Sequence, residues 1–409
     1  MKRAVITGMG AVTPVGNNIE DFWESLMQGR HGFGKITKFD TDLHKVELGA
    51  EVKGFEYPDK KESKRMDLFT QYGMVATKEA LEDSGLVSGE NIDPYRCNII
   101  VGSGIGGVTT FESEVIKGHE KGPRRVSALF IPKLIGNILP GYISINFGIK
   151  GSSFDIVTAC ASGTHAIGEA LRQIRHGYAD AVVAGAAEAP FVDTSIAGFE
   201  NMQALSTNKD KDRCCIPFDK EREGFVMGEG AGILIVEELE HAKSRGARVY
   251  AEIVGYGSTT DAYHITSPAP DGEGAARAME FAIKDAGIKQ EDIDYINAHG
   301  TSTPYNDLFE TMAIKRVFGD RAYDLAVSST KSMTGHMLGA AGSVEAIVCA
   351  KAIENDTIPG TIGLKVADEE LDLDYVPGKK REMNVDYTLS NSLGFGGHNA
   401  TIILKKFKE

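Results

Sequence analysis

At 409 residues, with 42% hydrophobic and 25% charged side chains and 47 glycines, the chain has a globular composition and enough length for two or three domains or one large fused α/β unit. A net charge of −14 argues against general nucleic-acid binding and against a polybasic membrane anchor. Five cysteines, an odd number that includes the vicinal pair Cys214 and Cys215, suit a reducing cytosol better than a disulfide framework.

Residues 3–10 (RAVITGMG) read as a buried strand ending in a Gly turn, with no secretory leader before it, and residues 18–27 as a helix with acidic residues early. No apolar run reaches membrane-spanning length, and no CxxC or HExxH spacing marks a metal. The expectation is a soluble intracellular protein without a metal site. Between residues 39 and 125 the pattern is less regular. Residues 59–65 (DKKESKR) and 121–125 (KGPRR) are basic clusters in an acidic chain, either solvated faces or a docking patch for an acidic partner. Between them, Gly102, Gly104 and Gly107 satisfy GxGxxG. A dinucleotide site also needs that turn in the first βαβ unit with an acidic residue closing the next strand, whereas residues 108–119 form a polar helix with no strand in place after it. A turn with Ile105 at its tip equally suits the wall of an apolar pocket.

Residues 154–174 (FDIVTACASGTHAIGEALRQI) change character halfway. Phe154, Ile156 and Val157 make a short β-rich run, and helical spacing begins after Cys160. Cys160 therefore sits at a strand-to-helix turn, where free N–H groups and the helix dipole favour an anion, so its thiol is expected to ionise easily. The alternative is a buried cysteine acting as a small hydrophobe. Residues 249–258 (VYAEIVGYGS) repeat the opening design of β-run and GxG. Further on, 327–353 repeats the strand, small-residue turn and Ala-rich helix of 156–174, and 396–404 repeats 230–236. The division expected is two similar halves, 1–250 and 251–409, with sheets buried between helix layers.

Two histidines lie where such a fold collects functional groups. Residues 294–303 (DYINAHGTST) run a strand into His299, and 328–341 (SSTKSMTGHMLGAA) place Lys331 and His336 before a helix. With Cys160 they offer a thiol and two imidazoles. The local setting of a papain-like cysteine is absent, and no GxSxG elbow occurs.

Four blocks then carry a family resemblance: TACASG around Cys160, NAHGTSTPYND at 297–307, SSTKSMTGHMLGAAG at 328–342 and NSLGFGGHNA at 391–400. They resemble, in order and over nearly the whole chain, the signature blocks of β-ketoacyl-acyl carrier protein synthases, and most of all the elongating type of dissociated fatty acid synthesis. The resemblance implies an α/β, thiolase-like fold of five α-β-α-β-α layers with internal duplication, usually a homodimer. It implies Cys160 as the acyl-accepting nucleophile, His299 and His336 as donors to the malonyl thioester oxygen, and Lys331 with Glu345 as the charged pair supporting them. By the same resemblance, the N–H groups of Cys160 and Phe395 form the oxyanion hole. Phe395 gates the acyl pocket within the flexible Gly394, Gly396 and Gly397 loop. Ile105 and Phe199 wall that pocket, Thr301 and Thr303 hold the pantetheine arm, and Lys64 and Arg65 meet the acidic acyl carrier protein. No separate cofactor is implied, because acyl and malonyl thioesters arrive on the carrier's phosphopantetheine. The alternatives are a polyketide-type ketosynthase and a non-catalytic chain-length partner subunit, which typically lacks the cysteine. Two departures stand out: His398 where many members have Thr, expected to be structural, and Tyr305 where a small residue is common.

Overall fold

The computed structural model describes residues 1–408. Ten strands form one mixed sheet: β1 (Ala4–Val12), β2 (Cys97–Gly102), β3 (Ser153–Phe154), β4 (Ala181–Glu188), β5 (Gly230–Glu238), β6 (Ala251–Thr260), β7 (Tyr295–Asn297), β8 (Ala326–Ser328), β9 (Tyr387–Gly394) and β10 (His398–Lys405). Their spatial order is β8-β7-β9-β10-β6-β1-β5-β4-β2-β3. Read outwards from the centre, β1-β5-β4-β2-β3 mirrors β6-β10-β9-β7-β8, with antiparallel pairs first and parallel pairs at the rim in both arms. The arms meet where Ala4 to Ile6 of β1 pairs with Ile253 to Ala251 of β6.

Helices supply the other layers. Helix α2 (Leu68–Ser84) covers the outer face of the first arm, and α6 (Glu273–Ala286) with α7 (Pro304–Phe318) covers that of the second. Between the arms lie α5 (Ser162–Arg175) and α8 (Ala341–Asn355), both largely buried, in the apolar core they share with β1, β5 and β6. This is the thiolase-like layering. Around it run α1 (Ile19–Met27), started by Asn18 whose side chain accepts the Asp21 N–H, α3 (Val108–Lys121) and α4 (Ile138–Phe147). No helix among the described residues is long and apolar enough to cross a membrane.

Two sequence expectations change. The glycines of GMG and GYG do not end their strands. A Cβ on Gly8 or Gly10 would overlap the Ala80 and Ala76 carbonyls of α2, and one on Gly255 or Gly257 those of Ala282 and Ala278 of α6. Each GxG is thus a mid-strand seat on which an outer helix lies directly. The run at 154–157 also forms less strand than its composition suggests. Only Ser153 and Phe154 pair, with Ile99 and Ile100 at the sheet rim, while Phe154 and Val157 are exposed. β-Propensity reports fit to a pleated surface, and on one side of β3 this chain supplies no neighbour.

Candidate active site

Cys160, His299 and His336 lie in the segments between strands and helices, where a rigid sheet holds converging side chains. Cys160 sits in a single 3-10 turn, Ala159–Ala161, that runs straight into α5. Ala159 is left-handed at φ +50°, a conformation that costs a β-carbon residue roughly 1–2 kcal/mol. Ser162 staples the turn, its Oγ accepting from the Thr158 N–H at 2.9 Å and donating to the Ala159 carbonyl at 2.8 Å. The backbone N–H groups of Phe395 and of Cys160 itself are directed at the sulfur. A Cβ on Gly394 would come within 3.2 Å of the Cys160 nitrogen, so the 394–397 loop lies against the nucleophile turn only because that position is glycine.

Two imidazoles share the space in front of the sulfur. The rings of His299, just past β7, and His336, just past the short helix Lys331–Thr334, meet edge to face with centroids 5.2 Å apart. His299 is fixed through its backbone: its N–H and that of Gly300 both donate to Glu310 at 2.8 Å, and Asn391 donates to the same carboxylate at 3.2 Å. His336 donates its N–H to the Val226 carbonyl at 2.7 Å, and its ring packs at 79° to Phe225. Behind them, fully buried Lys331 bonds Glu345 and reaches His299 Nδ1 at 3.3 Å. An ammonium can only donate, so Nδ1 accepts and the His299 ring proton resides on Nε2. Burial first, then the Lys331 charge, holds both imidazoles well below their usual range, so both are neutral.

The expectation of an easily ionised Cys160 is corrected. Burial pushes its thiol up to about 12, against the pull of Lys331 and with a push from Glu188. A helix start favours an anion, but here loss of water outweighs it, and the resting sulfur is a thiol. The other four cysteines are buried away from the cavity.

The cavity has a volume of about 500 Å³, and its walls bring together Cys160, Phe199, Thr301, Thr303, His299, His336 and Phe395. The Phe199 and Phe395 rings are 6.2 Å apart, and the Thr301 and Thr303 hydroxyls bond each other at 2.9 Å. Gly396, left-handed at φ +86°, donates its N–H to the Ile265 carbonyl at 2.7 Å just outside the lining. Ile105 is half exposed on the loop after β2 and does not line the cavity of this chain. Lys64 and Arg65 lie outside it, exposed, at the end of the turn of helix Lys60–Ser63 that precedes α2. His398 packs its ring on Gly396 and stands 6.4 Å from the buried His165, off the lining. Tyr305 stacks on Phe309 at the cavity mouth and is 65% exposed. Sequence reasoning missed Glu310 and Glu188. The only signal for Glu188 was an acid closing an apolar strand, and Glu310 is one of several acids in its helix with nothing local to single it out.

Comparison with known proteins gives the family. Residues 1–242 match the family model described as Beta-ketoacyl synthase, N-terminal domain, and residues 250–365 the one described as Beta-ketoacyl synthase, C-terminal domain. The chain is 52% identical over 410 residues to the 3-oxoacyl-[acyl-carrier-protein] synthase 2 of Staphylococcus aureus (strain COL), covering 100% of this chain and 99% of that one. It is 51% identical over 411 residues to the same-named protein of a Synechocystis species, with 100% and 99% covered. Among solved structures it is similar to the ishigamide ketosynthase/chain length factor (TM-score 0.93, 35% identity) and to a Beta-ketoacyl synthase from Burkholderia phymatum (TM-score 0.91, 34% identity), each covered completely in both directions. A third is a type II polyketide synthase acyl-carrier protein in complex with its ketosynthase (TM-score 0.92, 33% identity), again with both chains fully covered. Two family domains in sequence, full-length relatives at half identity and a shared thiolase-like architecture leave one conclusion: the chain belongs to the β-ketoacyl synthase family.

Proposed function

We propose that this protein is an elongating condensing enzyme, which joins a malonyl unit, with loss of carbon dioxide, to a cysteine-bound acyl chain and releases a 3-oxoacyl thioester on acyl carrier protein. The observation that carries this reading is the pair of neutral imidazoles sharing one cavity with a helix-start thiol. Cys160 attacks the acyl thioester; its sulfur forms the new carbon–sulfur bond, and its proton leaves with the departing pantetheine thiol. The N–H groups of Cys160 and Phe395 stabilise the oxyanion of that addition. Malonyl thioester then loses carbon dioxide, and the charge gathering on its carbonyl oxygen is met by the Nε2–H of His299 and by His336. Two neutral donors suit an enolate, because neither gives its proton away to form the intermediate. The enolate carbon forms a bond to the carbonyl carbon of the Cys160 thioester, the carbon–sulfur bond breaks, and Cys160 leaves as a thiolate that takes a proton from solvent. Lys331 with Glu345 fixes the His299 tautomer, and Thr301 with Thr303 holds the arm. Phe199 borders the acyl chain, and Gly396 lies next to Phe395, its gate.

The partner side rests on surface chemistry. Exposed Lys64 and Arg65 offer cations to an acidic carrier protein. A homodimer is supported by a run of exposed apolar side chains, among them Phe111, Val115, Ile116, Ile131, Ile145 and Val157, beside the unpaired rim of β3. In such a dimer Ile105 would border a cavity at the shared face. Five free cysteines support a cytoplasmic place.

Acylation with acyl-carrier protein followed by mass mapping tests the core of the reading. The chain is expected on Cys160, and a Cys160→Ala protein that still condenses, or an adduct on Cys214 or Cys215, would defeat it. A ladder of fatty and polyketide primers separates fatty acid elongation from a polyketide role, and condensation by this protein alone excludes a silent chain-length partner.

A further inference from the structure

Strand β4 ends on Glu188, an acid at the close of an otherwise apolar strand, and its side chain is fully buried. The carboxylate accepts from the Ser103 hydroxyl at 3.0 Å and from the N–H groups of Gly104 at 2.7 Å and Ile105 at 3.1 Å, all on the GxGxxG loop after β2. On its other side it accepts the Gly339 N–H at 3.0 Å. Gly339 belongs to a turn that copies the nucleophile turn. Leu338–Ala340 is a single 3-10 turn, opened by a left-handed residue (Leu338, φ +46°) and running straight into α8, as Ala159–Ala161 runs into α5. The strands correspond as well. The eight residues of β9 end at Gly394 against Cys160, and the eight of β4 end at Glu188 against Gly339. One helix start therefore faces the cysteine sulfur and the cavity, and the other faces a carboxylate built into the chain.

Packing alone would not select an acid here, since burying a carboxylate costs several kcal/mol that an apolar side chain avoids. What the site needs is an acceptor, because three backbone N–H groups from two segments point to one spot and would otherwise be buried unpaired. The approach is close: a Cβ on Gly104 would lie 2.7 Å from Glu188 Oε2 and 3.7 Å from the Ala159 carbonyl, and one on Gly339 would lie 2.5 Å from the Gly104 nitrogen. The loop thus touches both turns at once.

We propose that Glu188 is a positioning residue for the condensation, a resident carboxyl acceptor that fills the silent copy of the nucleophile turn and holds the Gly104–Ile105 loop and Leu338 in register with Cys160. The inference rests on the condensing reading above. Burial pushes the Glu188 carboxyl up to about 7 against the pull of the N–H groups it accepts, so it is charged over the alkaline range in which Cys160 ionises, and there it opposes that ionisation while Lys331 favours it.

Two variants test it. Glu188→Gln keeps the shape but removes the charge and one acceptor oxygen. The midpoint of Cys160 alkylation by iodoacetamide against pH, read by mass mapping, should fall by about half a unit or more. Glu188→Asp keeps the charge and loses reach, so the midpoint should stay while condensation falls about tenfold, with malonyl decarboxylation within about twofold of wild type. An unshifted midpoint in Glu188→Gln, or equal proportional losses of condensation and decarboxylation in either variant, overturns the proposal. Should Glu188→Gln not fold, the ratio in Glu188→Asp decides alone. Wild-type protein that takes no acyl chain on Cys160 would defeat the condensing reading instead, and the alkylation midpoints would still judge Glu188.

Discussion

The turn at Ala159–Ala161 brings the Cys160 thiol into a cavity, whereas the turn at Leu338–Ala340 spends the amide of Gly339 on Glu188. Both open with a left-handed residue and feed a long buried helix, so the backbone alone does not distinguish them. What differs is the strand end opposite: glycine and a Gly-rich loop in one case, a buried acid in the other. The two mirrored arms supply two similar helix starts; the proposed reaction uses one, and the chain closes the other with its own carboxyl group. In the proposed reaction the second half contributes instead His299 and His336, which follow the neighbouring strands β7 and β8.

The largest expected effect probes that division. His299→Asn should slow malonyl decarboxylation by about 2–4 kcal/mol of barrier, the range for losing one preorganised donor, while acylation of Cys160 changes far less. Equal loss in both half-reactions would erase the assignment of thiol chemistry to one half and enolate chemistry to the other.

His165, one turn into α5, supports the first turn by bonding Thr158 at 2.8 Å and Ser258 at 3.0 Å. Burial, with His398 adding to it, pushes His165 down to about 4. The unfolded chain therefore binds a proton between pH 6.5 and 4 that the folded chain refuses. Its contribution to stability is full above 6.5 and is lost as pH falls towards 4, by about 3 kcal/mol in total. Asp155 and Glu310, raised by burial to about 6, slope the other way, so the readout is the difference between wild type and His165→Gln in urea unfolding across that range. A difference that does not change with pH would break the link between this histidine and the turn.

The two turns should also differ in how far they tolerate an alanine. Cys160→Ala leaves the backbone contacts in place and should cost under about 1 kcal/mol of stability, while Gly339→Ala, forced to within 2.5 Å of Gly104 and 2.8 Å of Glu188, should cost about 1–3 kcal/mol. Similar urea midpoints for the two variants would mean that the second turn is not the clamped one. The smallest effect lies on the surface. Lys64→Glu with Arg65→Glu should weaken carrier binding by about 1–2 kcal/mol at low salt, and the difference should fade as ionic strength rises. Equal affinities at low salt would remove these cations from the docking face.

Much of this arrangement is legible in the chain. Small residues after an apolar run place Cys160 at a helix start, and two Gly-flanked histidines fall at strand ends, because strand-to-helix transitions leave a local mark in residue spacing. The repeated GxG is equally visible, yet its meaning is not. The sequence reading ends a strand there, and the fold shows a helix seated on mid-strand glycines, a contact made by residues about 70 positions away in the first half. Nor does spacing reveal that Glu310 anchors the amides of His299 and Gly300, since an acid's partners depend on which loops converge on it.

What the sequence by itself determined was the inventory and the order: a thiol at one helix start, two imidazoles and a lysine in the second half, and two matched series of elements. Only the tertiary structure decided the states of those groups, because protonation depends on lost water and near charge rather than on neighbours in the chain. Burial keeps Cys160 as a thiol where its position at a helix start favoured a thiolate, and holds both histidines neutral. The same burial turns Glu188 from one acid among many into the group that closes the second turn.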